Sequence, residues 1–279
     1  MKIENIIKDN IAETLYITVA MKCKETKRKS PFYNDPFACE IMKKIDYDFA
    51  KYRKAVKSSV GVAIRSNYFD EQTRNFIENT KNPVIVNIGC GLDTRFLRLG
   101  KQIMDKAIVY ELDLPEVIEM RKKVIPEAKN NFYLSCSMFE TKWMDLIKEK
   151  HPKSSFLFNA EGVLMYFEMQ QIKNLLTNLA QRFNKSKILF DVLNSWMCKN
   201  SHRHDTVKLT KATFKLSCDN DYEFEKCHEK LKLISCKKFH DFKDLKRIGI
   251  LMNLLMRIVP ALKNSCRILF YNIDDKHIV

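Results

Sequence analysis

Short apolar runs of strand length recur along the chain, and stretches with helical periodicity lie between them. A run that is apolar at nearly every position is expected of a strand whose two faces are both covered by helices. In the helical stretches the apolar residues share a face, as Ile172, Leu175 and Leu179 do. This alternation predicts an α/β fold with a doubly wound, mostly parallel sheet that begins near residue 83. The predicted strands are 84–88, 107–112, 132–134, 156–160, 187–192 and 267–273, and the predicted helices between them are 114–125, 138–150 and 168–183.

The first 80 residues lack strand-like runs and predict a layer of helices instead. The pair Asp35–Pro36 supplies an N-cap residue followed by proline at the first helical position. Such a layer can cover the open edge of the sheet as a cap or lid. The region 198–235 is polar and irregular, which predicts an inserted loop or a cap. The expected helices are 3–25, 35–45 and 60–79. We expect one domain in three parts: a helical cap at 1–80, a core at 81–197 and a C-terminal part at 198–279.

Composition supports a single large domain with a substantial core, since 46% of the 279 residues are hydrophobic. The formal net charge of +15 invites a nucleic-acid partner. The basic residues are scattered, however, and mostly lysines on helix surfaces. This distribution favours a solvated surface over a groove for nucleic acid.

The nine cysteines predict neither a zinc ribbon nor a disulfide framework, because their number is odd and no CxxC pair occurs. No other metal site is expected. The N-terminal residues lack the apolar core of a signal peptide. The longest apolar stretch, 248–262, is interrupted by Asn253, Arg257 and Pro260, so it is too short and too polar to span a bilayer. We expect a reduced cytoplasmic protein without membrane contact.

A glycine-containing turn after the first core strand predicts a nucleotide-like ligand. Gly89 and Gly91 follow the strand, and Asp113 comes at the end of the next strand, where it can accept hydrogen bonds from both hydroxyls of a ribose. Nicotinamide and S-adenosylmethionine sites share this arrangement. Thr94 stands where a dinucleotide fingerprint has its third glycine, and Asp93 would repel a pyrophosphate. Asp93 can instead cap its own helix, so S-adenosylmethionine is favoured.

A second acidic residue, Glu161, follows a buried strand and is flanked by small and apolar residues. A buried carboxylate needs a partner. A cationic cofactor with an ammonium and a sulfonium group would supply one, while the alternative is an N-cap or surface position.

Several motifs together resemble one family. These are "VIVNIGCGLDTRFLRL", "YELDLPEVI" and "AEGVLMYF", with "DPFA", "AIRSNYFDEQTRNFI" and "LFDVLNSWM" at matching places. In this order and spacing they are similar to the leucine carboxyl methyltransferase family, and within it to bacterial polyketide-type O-methyltransferases. The resemblance implies the seven-stranded, Rossmann-like sheet of class I methyltransferases and S-adenosylmethionine as the cofactor.

The resemblance also implies roles for individual residues. Arg65 would pair with the carboxylate of the cofactor, and Glu161 would lie near its sulfonium and amine. A basic residue near the N-terminus best matches Lys22, although Lys24 is possible. The full set implied for cofactor binding is Lys22, Arg65, Gly89, Gly91, Asp113, Ser137, Met138 and Glu161. Gly89 and Gly91 would pass beside the methionine part, while Ser137 and Met138 would contact adenine.

The expected activity is transfer of a methyl group to an oxygen of a small molecule. A carboxylate acceptor is ionised at neutral pH and needs no general base, whereas a phenol would benefit from one. No residue is assigned as catalytic. His202 and His204 lie where an acceptor pocket could form, or on the surface. Tyr16, Tyr33 and Tyr166 could shape such a pocket, or pack in the core. Alternative functions are methylation of a protein C-terminus, modification or binding of RNA, and, less favoured, hydride transfer.

Overall fold

Seven strands form one sheet in the computed structural model, which describes residues 2–126 and 128–275. In chain order the strands are β1 (Ile3–Glu4), β2 (Ile45–Asp46), β3 (Pro83–Ile88), β4 (Ile108–Asp113), β5 (Asn131–Ser135), β6 (Ser155–Ala160), β7 (Ser186–Leu193), β8 (Leu231–Lys238) and β9 (Cys266–Ile273). The sheet has the order β5-β4-β3-β6-β7-β9-β8, and β1 and β2 form a separate two-stranded ladder. Strands β3 to β7 pair in parallel, while β9 lies antiparallel to both β7 and β8. The prediction of a mostly parallel, seven-stranded, doubly wound sheet is confirmed.

Helices cover both faces of this sheet. They are α1 (Leu15–Thr26), α2 (Pro36–Lys44), α3 (Val56–Asn79), α4 (Arg95–Arg98), α5 (Lys101–Met104), α6 (Pro115–Val124), α7 (Lys142–Lys150), α8 (Met169–Arg182), α9 (Ser195–Lys199), α10 (Ile250–Ile258) and α11 (Pro260–Lys263). Alternate residues of β3 point to opposite faces. Val84 and Val86 pack in a core with Ile172 of α8, whereas Ile85 packs in another core with Phe69 of α3. The nearly continuous apolar strands therefore follow from the two covered faces.

The remaining core lies between α1, α2 and α6. It contains Ile17, Ile41 and Val117. Asp35 caps α2, since its Oδ1 accepts a hydrogen bond from the Ala38 N–H at 3.1 Å. The predicted N-cap is confirmed.

Two sequence predictions about the N-terminal region are wrong. The expected helix at 3–25 begins only at Leu15, because Asp9 Oδ1 accepts from the N–H groups of Ile11 and Ala12 and holds a turn there. The second wrong prediction is that the cysteines are all reduced. Cys23 and Cys39 form a disulfide that joins α1 to α2, with Cα atoms 4.7 Å apart. Their separation of 16 residues gave no signal, because the packing of α1 against α2 is needed to bring them together.

The C-terminal region also differs from the prediction. Leu231–Lys238 is a strand, although most of it lies in the stretch expected to be irregular. It is the edge strand of the sheet and pairs only with β9. Lys232, Ile234 and Lys237 are exposed along it, so the run lacks the continuous apolar character of the inner strands.

One buried ion pair holds the loop after β3 against the sheet. Arg121 of α6 lies 2.9 Å from Glu111 of β4 (Nη2 to Oε1), and both side chains are buried. Its Nη1 also donates to the Gly91 carbonyl at 3.0 Å. Burial raises the pKa of Glu111, and the charge of Arg121 opposes that rise.

Replacement of this arginine should destabilise the fold. We expect Arg121→Met to lower the free energy of unfolding by about 3–5 kcal/mol, because Glu111 would remain buried without its partner. The loss should be smaller at pH 5 than at pH 8, since an unpaired buried carboxyl takes up a proton in the folded state as the pH falls. Urea denaturation at the two pH values measures both effects. The double variant with Glu111→Gln should recover part of the loss; no recovery would show that the pair is not what Arg121 contributes.

Candidate active site

A cavity of about 370 Å³ lies beyond the carboxyl ends of β3, β4 and β6, beneath α1. We call it the first cavity. Parallel sheets of this kind bind ligands at this edge. The loop after β3 forms its floor, where Gly89 has a φ of +63° and a Cβ would come within 2.5 Å of Val163 Cγ2. Only glycine fits there without displacing that side chain.

Asp113 ends β4 at the side of the first cavity. Its two carboxylate oxygens accept from the N–H groups of Gly91 at 2.7 Å and Leu114 at 2.8 Å. Burial raises the pKa of Asp113 to about 6, and these hydrogen bonds counteract part of the rise. The carboxylate is therefore held in place and is ionised at neutral pH.

Opposite Asp113, charged side chains form a buried network. Lys22 Nζ lies 2.5 Å from Asp93 Oδ1, and Arg95 Nη2 lies 3.2 Å from Asp93 Oδ2. Arg95 also contacts Asp70 at 2.9 Å and donates to Asn87 Oδ1 at 3.1 Å. The sequence prediction that Asp93 caps its own helix is wrong, because Thr94 takes the N-cap position of α4 and Asp93 pairs with cations instead.

Glu161 joins the same network from the end of β6. Its carboxylate contacts Arg95 Nη2 and lies 3.3 Å from Arg65 Nε, and it accepts from Ser66 Oγ at 2.7 Å. Although burial acts to raise its pKa, the charges of Lys22, Arg95 and Arg65 together lower it to about 2. Protein cations thus already neutralise this carboxylate, so the cofactor need not supply the partner that the sequence predicted.

We call the whole set the ionic cluster. Arg98 extends it, with distances of 2.6 Å to Asp70 and 3.0 Å to Asp35. Arg65 Nη1 extends it on the other side, 2.9 Å from Asp191. The cluster comprises Lys22, Arg65, Arg95, Arg98, Asp35, Asp70, Asp93, Glu161 and Asp191. Four cations face five carboxylates, which leaves one negative charge in excess.

A second cavity of about 450 Å³ adjoins the first. Thr14, Thr18, Gly162 and Tyr166 line both cavities and form their boundary. The second cavity is mainly apolar, and its apolar walls include Met165, Leu193, Trp196, Met197, Phe214, Met252, Met256 and Leu262.

Arg65 faces the second cavity and not the first. Gly162 makes room for it: a Cβ there would approach Arg65 Nη2 to within 2.5 Å, and its φ is +70°. The Gly162 N–H also donates to Asp191 at 2.6 Å, so one carboxylate positions both the glycine and the arginine.

His204 also lines the second cavity, whereas His202 is exposed. The Val207 N–H donates to His204 Nδ1 at 3.3 Å. Since a backbone N–H can only donate, Nδ1 has no proton and the neutral ring carries its proton on Nε2. Burial lowers the pKa of His204, which keeps the ring neutral at physiological pH.

The structure brings together most of the residues that the sequence singled out. Seven line the first cavity: Lys22, Gly89, Gly91, Asp113, Ser137, Met138 and Glu161. Arg65 is the exception, since it lies at the boundary and lines the second cavity. Lys24, the alternative to Lys22, donates to the carbonyls of Arg53 and Ala55 and is not among the lining residues.

Sequence reasoning missed Arg95 and gave too little weight to Tyr166. Arg95 stands in the glycine motif itself, but its partners Asp70 and Glu161 are distant in sequence. Tyr166 lies on the boundary of the two cavities, while Tyr16 packs in the core with α2 and α6. Tyr33 is stacked beneath Arg98.

Known proteins with similar sequences agree with this geometry. The profile of the leucine carboxyl methyltransferase family matches residues 4–180. The chain belongs to this family. It is a methyltransferase that depends on S-adenosylmethionine, as the sequence predicted.

Individual relatives cover nearly the whole chain. The tetracenomycin polyketide synthesis O-methyltransferase TcmP of Streptomyces glaucescens is 25% identical over 271 residues, which is 96% of this chain and 98% of the relative. The S-adenosyl-L-methionine-dependent methyltransferase dpfgK of Gibberella zeae is 24% identical, with 88% of each chain covered. A solved Thermobifida fusca protein, described as a candidate methyltransferase, has the same fold with a TM-score of 0.60 at 8% identity; the match covers 85% of this chain and 93% of that one.

The described residues contain neither a membrane-spanning helix nor a cluster of metal ligands. None of their helices combines the length and apolar character needed to cross a bilayer. No group of three or more His, Cys, Asp or Glu side chains among them is arranged to hold a metal ion.

Proposed function

We propose that this methyltransferase esterifies a carboxylate on an apolar small molecule. The observation that supports the proposal is the pair of adjoining cavities with different chemistry. The first is polar and charged, and the second is apolar with hydrogen-bond donors at its boundary. A charged donor and a mostly apolar acceptor would meet where they join.

The residues of the first cavity fit S-adenosylmethionine. Asp113 offers an ionised carboxylate to the ribose hydroxyls, and the close-packed Gly89 loop leaves room beside it. Lys22 and Arg95 face the cavity and can bind the carboxylate of the methionine part. We propose Arg95 for this role in place of Arg65. Ser137 and Met138 would lie against the adenine.

The charge of the cluster also fits this cofactor. S-adenosylmethionine has a sulfonium, an ammonium and a carboxylate, so it carries one net positive charge. The ionic cluster has one negative charge in excess. The cofactor supplies an electrophilic methyl group when bound, and the protein contributes mainly alignment of the reacting groups.

The boundary residues would orient the acceptor. Burial raises the pKa of Tyr166 to about 12, so its hydroxyl remains protonated and can donate at neutral pH. Arg65, fixed by Asp191 and Glu161, places a cation at the second cavity. His204 offers its Nε2–H, and none of the described residues hydrogen-bonds to that nitrogen. These groups are donors, which suits an anionic acceptor.

A general base for a hydroxyl acceptor is lacking among the described residues that line the second cavity. Asp205 is the only carboxylate there, and its oxygens accept from the Lys57 N–H, the Ser58 N–H and the Ser58 hydroxyl. His204 has its accepting nitrogen occupied by Val207. A carboxylate is already ionised at neutral pH and needs no such base.

The alternatives from the sequence are less well supported. A mostly apolar second cavity does not suit RNA. A small molecule is favoured over a polypeptide terminus because the relative TcmP, which covers nearly the whole chain, is by name an enzyme of polyketide synthesis. We retain as proposals a cytoplasmic location, the absence of a nucleic-acid partner, and a role of residues 1–80 as the cap over the site.

The acceptor class can be tested with pairs of compounds. We expect apolar aromatic and aliphatic carboxylic acids to be methylated at least tenfold faster than phenols of the same skeleton, because only the acids are ionised without a base. Mass spectrometry with labelled S-adenosylmethionine measures the transfer. Faster methylation of the phenols would contradict the proposal.

Binding of the cofactor should depend on Lys22 and not on Lys24. Loss of a charge-assisted hydrogen bond in Lys22→Met should weaken S-adenosylmethionine binding about tenfold to a hundredfold. Calorimetry measures the affinity. Lys24→Met is the matched control and should bind as the wild type does.

The variant Arg65→Lys should keep its affinity for the cofactor but lower the rate of methyl transfer to the acceptor. A large loss of cofactor affinity would return Arg65 to the role that the sequence implied.

Cofactor affinity should fall in acid because of Asp113. The pKa of Asp113 is raised to about 6, so its carboxyl is ionised above this pH and becomes protonated as the pH falls through it. Since the ionised form accepts from both ribose hydroxyls, affinity is full only well above pH 6 and falls as the pH passes through it. We expect it to fall about tenfold between pH 7.5 and pH 5. Asp113→Asn should bind more weakly at pH 7.5 and show little change over this range. An equal pH dependence in the variant would assign the effect to another group.

A further inference from the structure

Helix α10 leaves an unusually apolar surface exposed beside the second cavity. The exposed fractions are 89% for Ile250, 71% for Leu251, 51% for Leu254 and 65% for Ile258. At 100° per residue these four side chains occupy one arc of about 100° on the helix. Asn253 and Arg257 are the only polar residues of the helix. A helix that is apolar nearly all round is normally covered on every side.

The opposite face of α10 belongs to the site. Met252 and Met256 line the second cavity together with Trp196, whose exposed fraction is 36%. One helix thus separates the apolar interior of the second cavity from an apolar patch on the outside. We call the four exposed aliphatic residues of α10 the outer face.

Exposed basic residues occur on α10, in the turn before it and at the second cavity that it lines. Lys243 and Lys246 are exposed in the turn before α10, and Arg257 is exposed on the helix beside Ile258. Arg203 and Lys57 are exposed where they line the second cavity. From 243 to 263 the chain has five basic residues and one acidic residue, which are Lys243, Lys246, Arg247, Arg257, Lys263 and Asp244. Asp244 lies 3.7 Å from Arg247.

We propose that the outer face docks on an anionic phospholipid surface. Aliphatic side chains flanked by exposed cations match the acyl and phosphate layers of a membrane interface. With nine residues, α10 is too short to cross a bilayer and can only lie along its surface. This surface contact differs from membrane spanning, and it revises the expectation of no membrane contact. Docking would place the apolar second cavity next to the phase in which apolar acids concentrate.

The inference concerns the surface outside both cavities, so its test needs neither cofactor nor acceptor. The full chain is sedimented with vesicles of phosphatidylcholine, with and without phosphatidylglycerol. We expect binding to the anionic vesicles, weaker binding to the neutral ones, and a decrease with added salt. The triple variant Ile250→Ser, Leu254→Ser, Ile258→Ser should lower the partition coefficient at least tenfold.

The chain offers a matched control and a charge variant. The residues Phe132, Leu146 and Ile234 are also exposed, at 45%, 41% and 48%, but belong to β5, α7 and β8 and not to α10. Their replacement by serine should change binding less than twofold. Lys243→Glu with Lys246→Glu should weaken binding to anionic vesicles and leave binding to neutral vesicles unchanged.

A second measurement keeps the test valid if the triple variant folds poorly. The indole introduced by Ile250→Trp should show a blue-shifted emission when anionic vesicles are added, because the outer face enters an apolar medium. The proposal is overturned if wild type does not bind, if the triple variant binds equally, or if the emission does not shift. A dimer detected by light scattering that the triple variant dissociates would also overturn it, since a second copy would then cover the outer face.

Discussion

The ionic cluster is the constraint on which the site depends. Apolar packing builds the sheet and its two helical layers, but charges join α1, α2 and α3 to the loop after β3. Arg98 alone connects Asp35 at the start of α2, Asp70 of α3 and Asp93 of the loop. A buried charge without a partner costs several kcal/mol, so each member of the cluster fixes the positions of its partners. The cluster therefore acts less as a source of net stability than as a device that sets geometry. It keeps the floor of the first cavity charged and rigid before any ligand arrives.

The same network separates the two cavities. Asp191 of β7 accepts from the Gly162 N–H and pairs with Arg65, while Glu161 pairs with Arg65 and Arg95. Two arginines that share one carboxylate consequently point to different cavities, with Arg95 lining the first and Arg65 the second. Gly162 stands between them because a side chain would occupy the space of the Arg65 guanidinium. Each cavity thus has a cation of its own, although both cations belong to one electrostatic unit.

The sequence predicted those features that depend on neighbours along the chain. The inner strands were found because both their faces are buried, and Gly89 and Asp113 because they follow strand ends. Features that depend on distant partners were missed. Arg95 belongs to the glycine motif, but its role depends on Asp70 and Glu161, which lie 25 and 66 residues away in the sequence. Strand β8 was not predicted because an edge strand exposes lysine side chains to solvent and therefore lacks a continuous apolar run. The sequence favoured Lys22 over Lys24 only by its match to the family, since the difference between them lies in the direction in which the helix presents each ammonium.

Charge balance in the cluster also bears on turnover. With one negative charge in excess, the cluster complements a cofactor that carries one net positive charge. Transfer of the methyl group removes the sulfonium charge and leaves a neutral product at the same position. If the acceptor is a carboxylate, as we propose, it loses its negative charge in the same step, so its attraction to Arg65 weakens as well. Both products are therefore held less strongly than the substrates by the same fixed charges. Because Asp191 and Glu161 keep Arg65 paired in the absence of an acceptor, release leaves no buried cation without a partner. The cluster can thus favour entry of charged substrates and departure of neutral products without any movement of the fold.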